Sequence, residues 1–483
     1  SRFASLYLTG LHEIVHAPYL ALCETVASGG IPQDRHAKIQ DPFDLNSEHT
    51  ARSVSVEMLI AFDHSNRLDF SHADELEPRE RSQVRDYVQN ILRRRSYLDF
   101  LVGEFSSVTV EDMKPELKNI LRLAFYEMVF MEQIPDYASI NEAVEIAKRT
   151  LGSKSGDLVN AILRNLQRDF ESLPRPSYTD RRKLIAVTYS HPEWLVDRWV
   201  RRFGEREAFQ LMTANNRRPE YFVRVNTLRT KPANFELRMQ KAGVEFTPSD
   251  WLPGYYKVSS LQPLLQKGFF EKGLCQVQDV AAGMAPTILD PQPGESIYDL
   301  CAAPGTKSIM ISDMMGGEGD ILAVDIDAHR LQRLAESALA YNAENIRIRR
   351  GDVLDLNLKV TDGVLLDAPC TGTGVLCKRA DLRWRRTPEE LANIVKVQAS
   401  LLEEAANMVK KGGRLVYSTC SLEPEENMEQ VNRFLQTYDN FELEDLSEYL
   451  PEEVLAEEGK AYQTFPHIHG CDGHFGVRMV RKN

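Results

Sequence analysis

Two of the seven cysteines in this 483-residue chain stand where a thiol can do chemistry. Cys370 lies in DAPCTGTGVL and Cys420 in VYSTCSLEPEEN, each just past an apolar run that reads as a β-strand, so the two thiols arrive at matching strand ends. A thiolate is a strong nucleophile, and covalent catalysis through sulfur divides one hard transfer into two easier steps. A free thiol titrates near ~8.5, so such a cysteine works best beside a positive charge or dipole. The other five, Cys23, Cys275, Cys301, Cys377 and Cys471, are scattered and form no CxxC pair, which argues against a disulfide framework. Most buried cysteines are inert small hydrophobes, and that is the default reading for each of them.

A ligand site is written next to these thiols. In SIYDLCAAPGTKSIMISDMM an apolar strand enters a turn of small residues and then a helix. Ala302, Ala303 and Gly305 let backbone approach a ligand, and the N–H groups of the helix start offer donors. The candidate binding residues of this turn are Cys301, Ala302, Ala303, Pro304, Gly305, Thr306 and Lys307. No GxxxxGK[ST] phosphate loop is present, which weighs against a nucleotide hydrolase. Asp325 closes the next strand, ILAVDID, where a carboxylate binds the hydroxyls of a ribose. Loop and acid alone leave dinucleotide binding as a competitor. Asp352 in RRGDVLDL and Asp367 in GVLLDAPC then follow the third and fourth strands. Each acid singly is explained as a helix cap. All three at successive strand ends point to one ligand crevice.

The elements that must hold these residues are five strands alternating with helices: Ser296 to Cys301, Ile321 to Asp325, Ile346 to Gly351, Gly363 to Asp367 and Arg414 to Ser418. Such alternation predicts an α/β fold, a Rossmann-like and mostly parallel doubly wound sheet over residues 276–483. Upstream, residues 47–172 carry three- and four-residue apolar spacing, as in Val84, Tyr87, Val88, Ile91 and Leu92, and read as an all-helical domain. Residues 173–275 combine connecting helices with a small α/β unit whose strand is YFVRVNTLRT. Residues 1–46 form an unassigned extension with one amphipathic stretch, Leu6 to Val26.

The formal net charge of −13 seems hostile to nucleic acid, but Ser421 to Lys460 holds thirteen acidic residues against two basic ones. The rest is nearly balanced, leaving Lys378, Arg379, Arg383, Arg385 and Arg386 as a candidate basic patch and Trp384 as a ring that stacks or packs. No apolar run has membrane-spanning length and the start lacks a secretory layout, so a cytoplasmic protein without membrane partners is expected. In PHIHGCDGHFG, His467, His469, Cys471 and His474 do not follow the common zinc spacings, and no metal is expected.

SINEAVEIAKR followed by GDLVNAILRNL resembles the antitermination factor NusB, whose helical bundle binds RNA. DLCAAPGTKS, DAPCTGTGVL and STCSLEPEEN together resemble the Sun-type RNA cytosine-5 methyltransferases, in their ribosomal small-subunit methyltransferase B branch. The resemblance spans Glu48 to Asn483. It implies S-adenosyl-L-methionine as cofactor and 16S ribosomal RNA or its small-subunit precursor as partner, with the 967-type cytosine as target and the protein acting as a monomer. It also implies that Cys420 is the nucleophile, that Cys370 assists product release, that Asp367 meets the base, and that Lys307 contacts cofactor or RNA. Arg330 is read equally as a contact or as a solvated helix residue. Thr371, Ala380 and His474 depart from the family pattern, His474 replacing an aromatic residue. The same chemistry on transfer RNA or another ribosomal site, and a non-catalytic RNA-binding scaffold, are the alternatives. An amino-methylating enzyme would need Asn/Asp-Pro-Pro-aromatic where DAPC stands.

Overall fold

The computed structural model describes residues 50–482, so the 1–46 extension and its Leu6 to Val26 stretch lie outside the described residues. The helical unit opens on a capping box: the Thr50 side chain accepts from the Ser53 N–H and the Ser53 hydroxyl accepts from the Thr50 N–H, which starts the helix Ala51–Ser65. Pro78 and Pro115 begin the helices Pro78–Arg93 and Pro115–Phe130, at the one helical position where a missing N–H costs nothing. With Arg95–Phe105, Asp136–Leu151 and Ser153–Arg168 these helices close over a core that includes Val88, Ile91, Phe125, Ile140 and Leu163.

Two helices, Arg181–Tyr189 and Glu193–Asn215, lead to a four-stranded antiparallel sheet. Its strands are β1 (Tyr221–Val225), β2 (Phe246–Pro248), β3 (Tyr255–Val258) and β4 (Cys275–Val277), in the order β2-β3-β1-β4. β1 is shorter than YFVRVNTLRT suggests. Past Val225 the chain turns toward its neighbour: the Asn226 amide donates to the carbonyls of Gly273 and Tyr341, and the Thr227 and Leu228 N–H groups donate to Asp313.

The larger sheet contains β5 (Ser296–Leu300), β6 (Asp320–Asp325), β7 (Ile346–Arg350), β8 (Thr361–Asp367), β9 (Val409–Thr419), β10 (Phe441–Leu443), β11 (Leu455–Ala456), β12 (Ala461–Gln463) and β13 (Phe475–Arg481). β7-β6-β5-β8-β9 form a parallel half, whose order reverses between β5 and β8. That reversal opens the crevice in which such sheets bind ligands. Neighbouring residues on a strand face opposite ways. Ile297, Ile321 and Val416 accordingly pack with the helix Val280–Leu289, while Tyr298, Leu366 and Tyr417 pack with Pro388–Asn407 and Met428–Thr437. The other half, β13 with β9, β12 and β10 and β12 with β11, is antiparallel, and it is larger than a mostly parallel sheet leads one to expect. Parallel strands need a crossover of a dozen or more residues. Between β12 and β13 there is room only for the single turn Pro466–His469, and the chain returns as a hairpin.

The basic patch expected at 378–386 does not form as a surface. Arg383 is fully buried, its guanidinium donating to the carbonyls of Arg93, Ser190 and Asn215 and to the Asn216 side chain. Trp384 packs rather than offering a free ring: its indole N–H donates to the Leu92 carbonyl at 2.7 Å and the Arg95 guanidinium covers its face. Lys378 is enclosed by Asp279 and Asp472, and Arg386 donates to the carbonyls of Thr371 and Cys370. Arg385 pairs with Asp381, as does the exposed Arg379. A guanidinium with five fixed donors serves a carbonyl-rich seam between units as well as it serves a phosphate, and side-chain type alone does not separate the two.

Candidate active site

The turn after β5 is shaped for close approach. Gly305 has φ of 100°, and a Cβ there would lie 2.0 Å from Leu334 Cδ1, so no side chain fits. Ala302 and Ala303 are buried, Pro304 is exposed and joined to Ala303 by a cis peptide, and Thr306 and Lys307 begin the helix Thr306–Met314. Asp325 holds this turn: its two carboxylate oxygens accept the N–H groups of Ala303 and Asp327, both at 3.0 Å. Each oxygen keeps a second lone pair for a ligand hydroxyl. Arg330, left open between contact and solvation, donates to the Ala303 carbonyl and so clamps the same turn from the next helix. Asp352 is exposed and accepts the Leu354 N–H, capping the single turn Val353–Asp355. The Cys301 thiol is pushed up to about 12 by burial and four neighbouring carboxylates, which makes it unreactive.

Parallel pairing of β8 with β9 sets Asp367 opposite Ser418 and carries Cys370 and Cys420 to one place. Their sulfurs are 3.2 Å apart and both cysteines are free. The contact with the Cys420 sulfur, and after it burial, hold Cys370 well above the usual thiol range, so it is a protonated donor at neutral pH. Asp367 lies beside them. Lys307 donates to its Oδ2 at 2.6 Å and Ser418 to its Oδ1 at 2.9 Å. Burial opposes its ionisation, yet the Lys307 charge and these hydrogen bonds prevail, and the carboxyl stays below its ordinary range. Lys307 thus meets Asp367 directly and also feels Cys420 electrostatically.

Three residues of this centre were not singled out by their types. Glu426 is buried between the two cysteine loops, accepting from the N–H and hydroxyl of Thr371, the hydroxyl of Ser421 and the amide of Gln398. Thr371 and Ser421 each follow a cysteine, so this one carboxylate fixes the separation of the thiols. Replacing Glu426 with Ala strands several buried donors at about 1–3 kcal/mol each. The variant is expected to lose about 2–4 kcal/mol of stability, read as a lower thermal unfolding midpoint, whereas Gln, which keeps an acceptor, is expected to lose less. Asp299 is buried in β5 with its Oδ2 on Ser308 and its Oδ1 unpartnered, and burial pushes it up to about 7. Its only sequence signal is an acid inside an apolar strand. His474, weighed in the sequence as a metal ligand and as a departure from the family pattern but not as part of this centre, faces Asp367 across 3.8 Å.

Residues 286–480 match the family described as 16S rRNA methyltransferase RsmB/F, residues 49–168 match the NusB family, and residues 191–258 match the ferredoxin-like domain of RsmF/B-like methyltransferases. The chain is 32% identical to the probable ribosomal RNA small subunit methyltransferase B of Bacillus subtilis, over 90% of this chain and 99% of that one. The chain belongs to the RsmB/F methyltransferase family. The Synechocystis relative of the same name is 33% identical over 84% of this chain and 92% of its own length. A methyltransferase homologue from Pyrococcus horikoshii superposes with a TM-score of 0.55 at 30% identity, covering 63% of this chain and all of its own. As an RsmB/F member with a NusB-type helical unit, the protein is an S-adenosylmethionine-dependent methyltransferase.

The RsmB/F turn fits that cofactor. The partnerless oxygen of Asp299 is an acceptor suited to an ammonium group, Asp325 has lone pairs for ribose hydroxyls, and Gly305 leaves room for backbone contact. Among the described residues no helix is long and apolar enough to cross a membrane. Of the tail residues, His469 accepts from the Phe465 N–H, His474 bonds Tyr462 and Cys471 is buried, while neither ring nitrogen of His467 has a hydrogen-bond partner.

Proposed function

We propose that this protein forms 5-methylcytosine in 16S ribosomal RNA, at a 967-type cytosine, through a covalent bond between Cys420 and C6 of the base. The observation that carries the reading is the pair of free thiols 3.2 Å apart beside an ionised Asp367, at adjacent strand ends and next to the Asp325 turn. The relatives' names supply ribosomal small-subunit RNA as substrate. In our reading residues 47–172 bind RNA, residues 173–275 add a second RNA contact, and residues 276–483 perform the transfer.

Bound S-adenosylmethionine supplies an electrophilic methyl group on a sulfonium. C5 of cytosine is too weak a nucleophile to take it unaided. Attack of the Cys420 sulfur on C6 breaks the ring conjugation and places enamine-like electron density on C5, which accepts the methyl. Asp367 accepts from the exocyclic amine and relays to N3 the proton that the Cys420 thiol gives up during attack, keeping charge off the ring. Lys307 and Ser418 hold that carboxylate in place. A base within a stacked helix is out of reach, so the target must be unpaired or flipped outward. Cys301 to Lys307 cradle the cofactor, with Asp325 on the ribose, Asp352 beside it, and Asp367 between cofactor and base.

Replacing Asp325 with Ala removes acceptors for two hydroxyls and frees the turn it pins. Charge-assisted hydrogen bonds contribute about 1.5–3 kcal/mol each, so cofactor affinity is expected to fall about 100-fold or more, as measured by calorimetric titration with S-adenosylhomocysteine. The function itself is tested by bisulfite sequencing of ribosomal and transfer RNA from cells with and without the gene. A protected cytosine lost only from small-subunit RNA supports the reading. A lost site in transfer RNA alone replaces the substrate, and an unchanged methylation map ends the proposal.

A further inference from the structure

The hairpin joining β12 to β13 places a histidine behind the Asp367 carboxylate. His474 is buried, and its backbone is pinned on both sides: its N–H donates to the Thr464 hydroxyl at 2.9 Å and its carbonyl accepts the Thr464 N–H at 2.8 Å. The ring lies parallel to that of Tyr462, with 12° between planes, and Nδ1 is 2.9 Å from the Tyr462 hydroxyl. Nε2 points at Asp367 Oδ1 across 3.8 Å, a distance short of a closed hydrogen bond.

The tautomer follows from what each nitrogen faces. If Nδ1 carried the proton, the Nε2 lone pair would confront an ionised carboxylate. If the fully buried Tyr462 hydroxyl donates to Nδ1, the phenol proton is satisfied and the Nε2 proton faces negative charge. Tyr462 is held well above its usual range by burial and by Asp367, so it keeps the proton that it donates. Burial, the largest effect, and the Lys307 charge lower His474 to about 4 against the opposing pull of Asp367, Asp279 and the Phe475 backbone. The groups around Asp367 are Lys307 and Ser418 in direct contact, with Asp299, Cys301 and Cys370 in its field.

We propose that His474 is a positioning residue for the methyl transfer, a neutral imidazole set by Tyr462 so that its Nε2–H orients the Asp367 carboxylate toward the base. Lys307 alone would leave Oδ1 steered only by the Ser418 hydroxyl, which can rotate. The imidazole adds a fixed dipole on that side without adding a positive charge that would compete for the carboxylate. A phenyl ring at 474 would fill the same volume and supply no donor. This inference rests on the reading of Asp367 as the group that meets the base.

The test uses the full chain carrying His474→Phe, His474→Gln or Tyr462→Phe, with Asp367→Asn as reference, and follows methyl transfer to 16S ribosomal RNA from about pH 5 to 8. Losing one oriented dipole is expected to lower kcat about tenfold in His474→Phe, to leave KM for S-adenosylmethionine unchanged, and to move the acid limb of the profile upward, because Asp367 is easier to protonate. His474→Gln, which keeps an N–H, is expected to recover part of the rate, and Tyr462→Phe to fall between. Wild-type kcat and acid limb in His474→Phe, with Asp367→Asn inactive, overturns the role of His474 alone. Full activity in Asp367→Asn overturns the reading of Asp367, and this inference with it. Should the variants fold poorly, nitrogen-15 NMR of histidine-labelled wild-type protein decides: a neutral ring protonated on Nε2 down to about pH 5 is expected, and an Nδ1–H tautomer or a titration in the ordinary histidine range refutes it.

Discussion

Replacing Cys420 with Ala is expected to abolish methyl transfer, by on the order of ten-thousand-fold or more, as removal of a covalent nucleophile does. The same variant should form no denaturation-resistant complex with RNA. The effect is large because neither neighbouring thiol can take the role: Cys370 is held as a protonated thiol, and Cys301 is unreactive in its acidic surroundings. Serine would be a poor substitute, since its hydroxyl is far harder to ionise than a thiol. Cofactor binding should survive, because Cys420 lies past β9 and the Asp325 turn lies past β5. The measurement is therefore paired: titration with S-adenosylhomocysteine gives wild-type affinity while tritium transfer to ribosomal RNA disappears. Transfer at a wild-type rate from the alanine variant would refute covalent catalysis at this position.

The parts of the site that were legible in the sequence are those in which strand ends dictate placement. Five apolar runs each close on a small or acidic residue, and parallel pairing then leaves Cys301, Asp325, Asp352, Asp367, Cys370 and Cys420 on one edge of the sheet. The antiparallel half of the sheet was not legible, because β10 to β12 are two or three residues long and too short to show a period. Residue type misled at Arg383, which read as part of a basic patch and serves instead in the seam with the helical unit, where carbonyls from three segments converge; Trp384, open between stacking and packing, packs in the same seam. Glu426 and Asp299 were hidden for the opposite reason. A buried carboxylate that ties loops together looks in sequence like any solvated acid, and Glu426 sits in the most acidic stretch of the chain.

Cys370→Ser and Cys370→Ala are expected to trap the enzyme on its RNA. In the proposed reaction, once C5 is methylated a base removes the C5 proton, the electrons form the C5–C6 double bond, and the C6–sulfur bond breaks toward Cys420. The departing sulfur leaves more easily if a proton reaches it as it goes. Cys370 is 3.2 Å away and protonated at neutral pH, because Cys420 itself and, after it, burial raise it. Its proton passes to Cys420 and is later restored from solvent. A serine hydroxyl is a weaker acid and an alanine has no proton to give, so elimination slows while addition and methylation proceed. General acid assistance contributes about 100-fold or more, and turnover should fall by that order. Under methylating conditions a band of protein bound to RNA should appear on denaturing gels for both variants, more strongly for alanine. It should vanish in a double variant that also carries Cys420→Ala, since the bond it reports is the one to Cys420. Absence of the band in the single variants would remove Cys370 from the release step, and a band that persists in the double variant would place the covalent bond on a different residue.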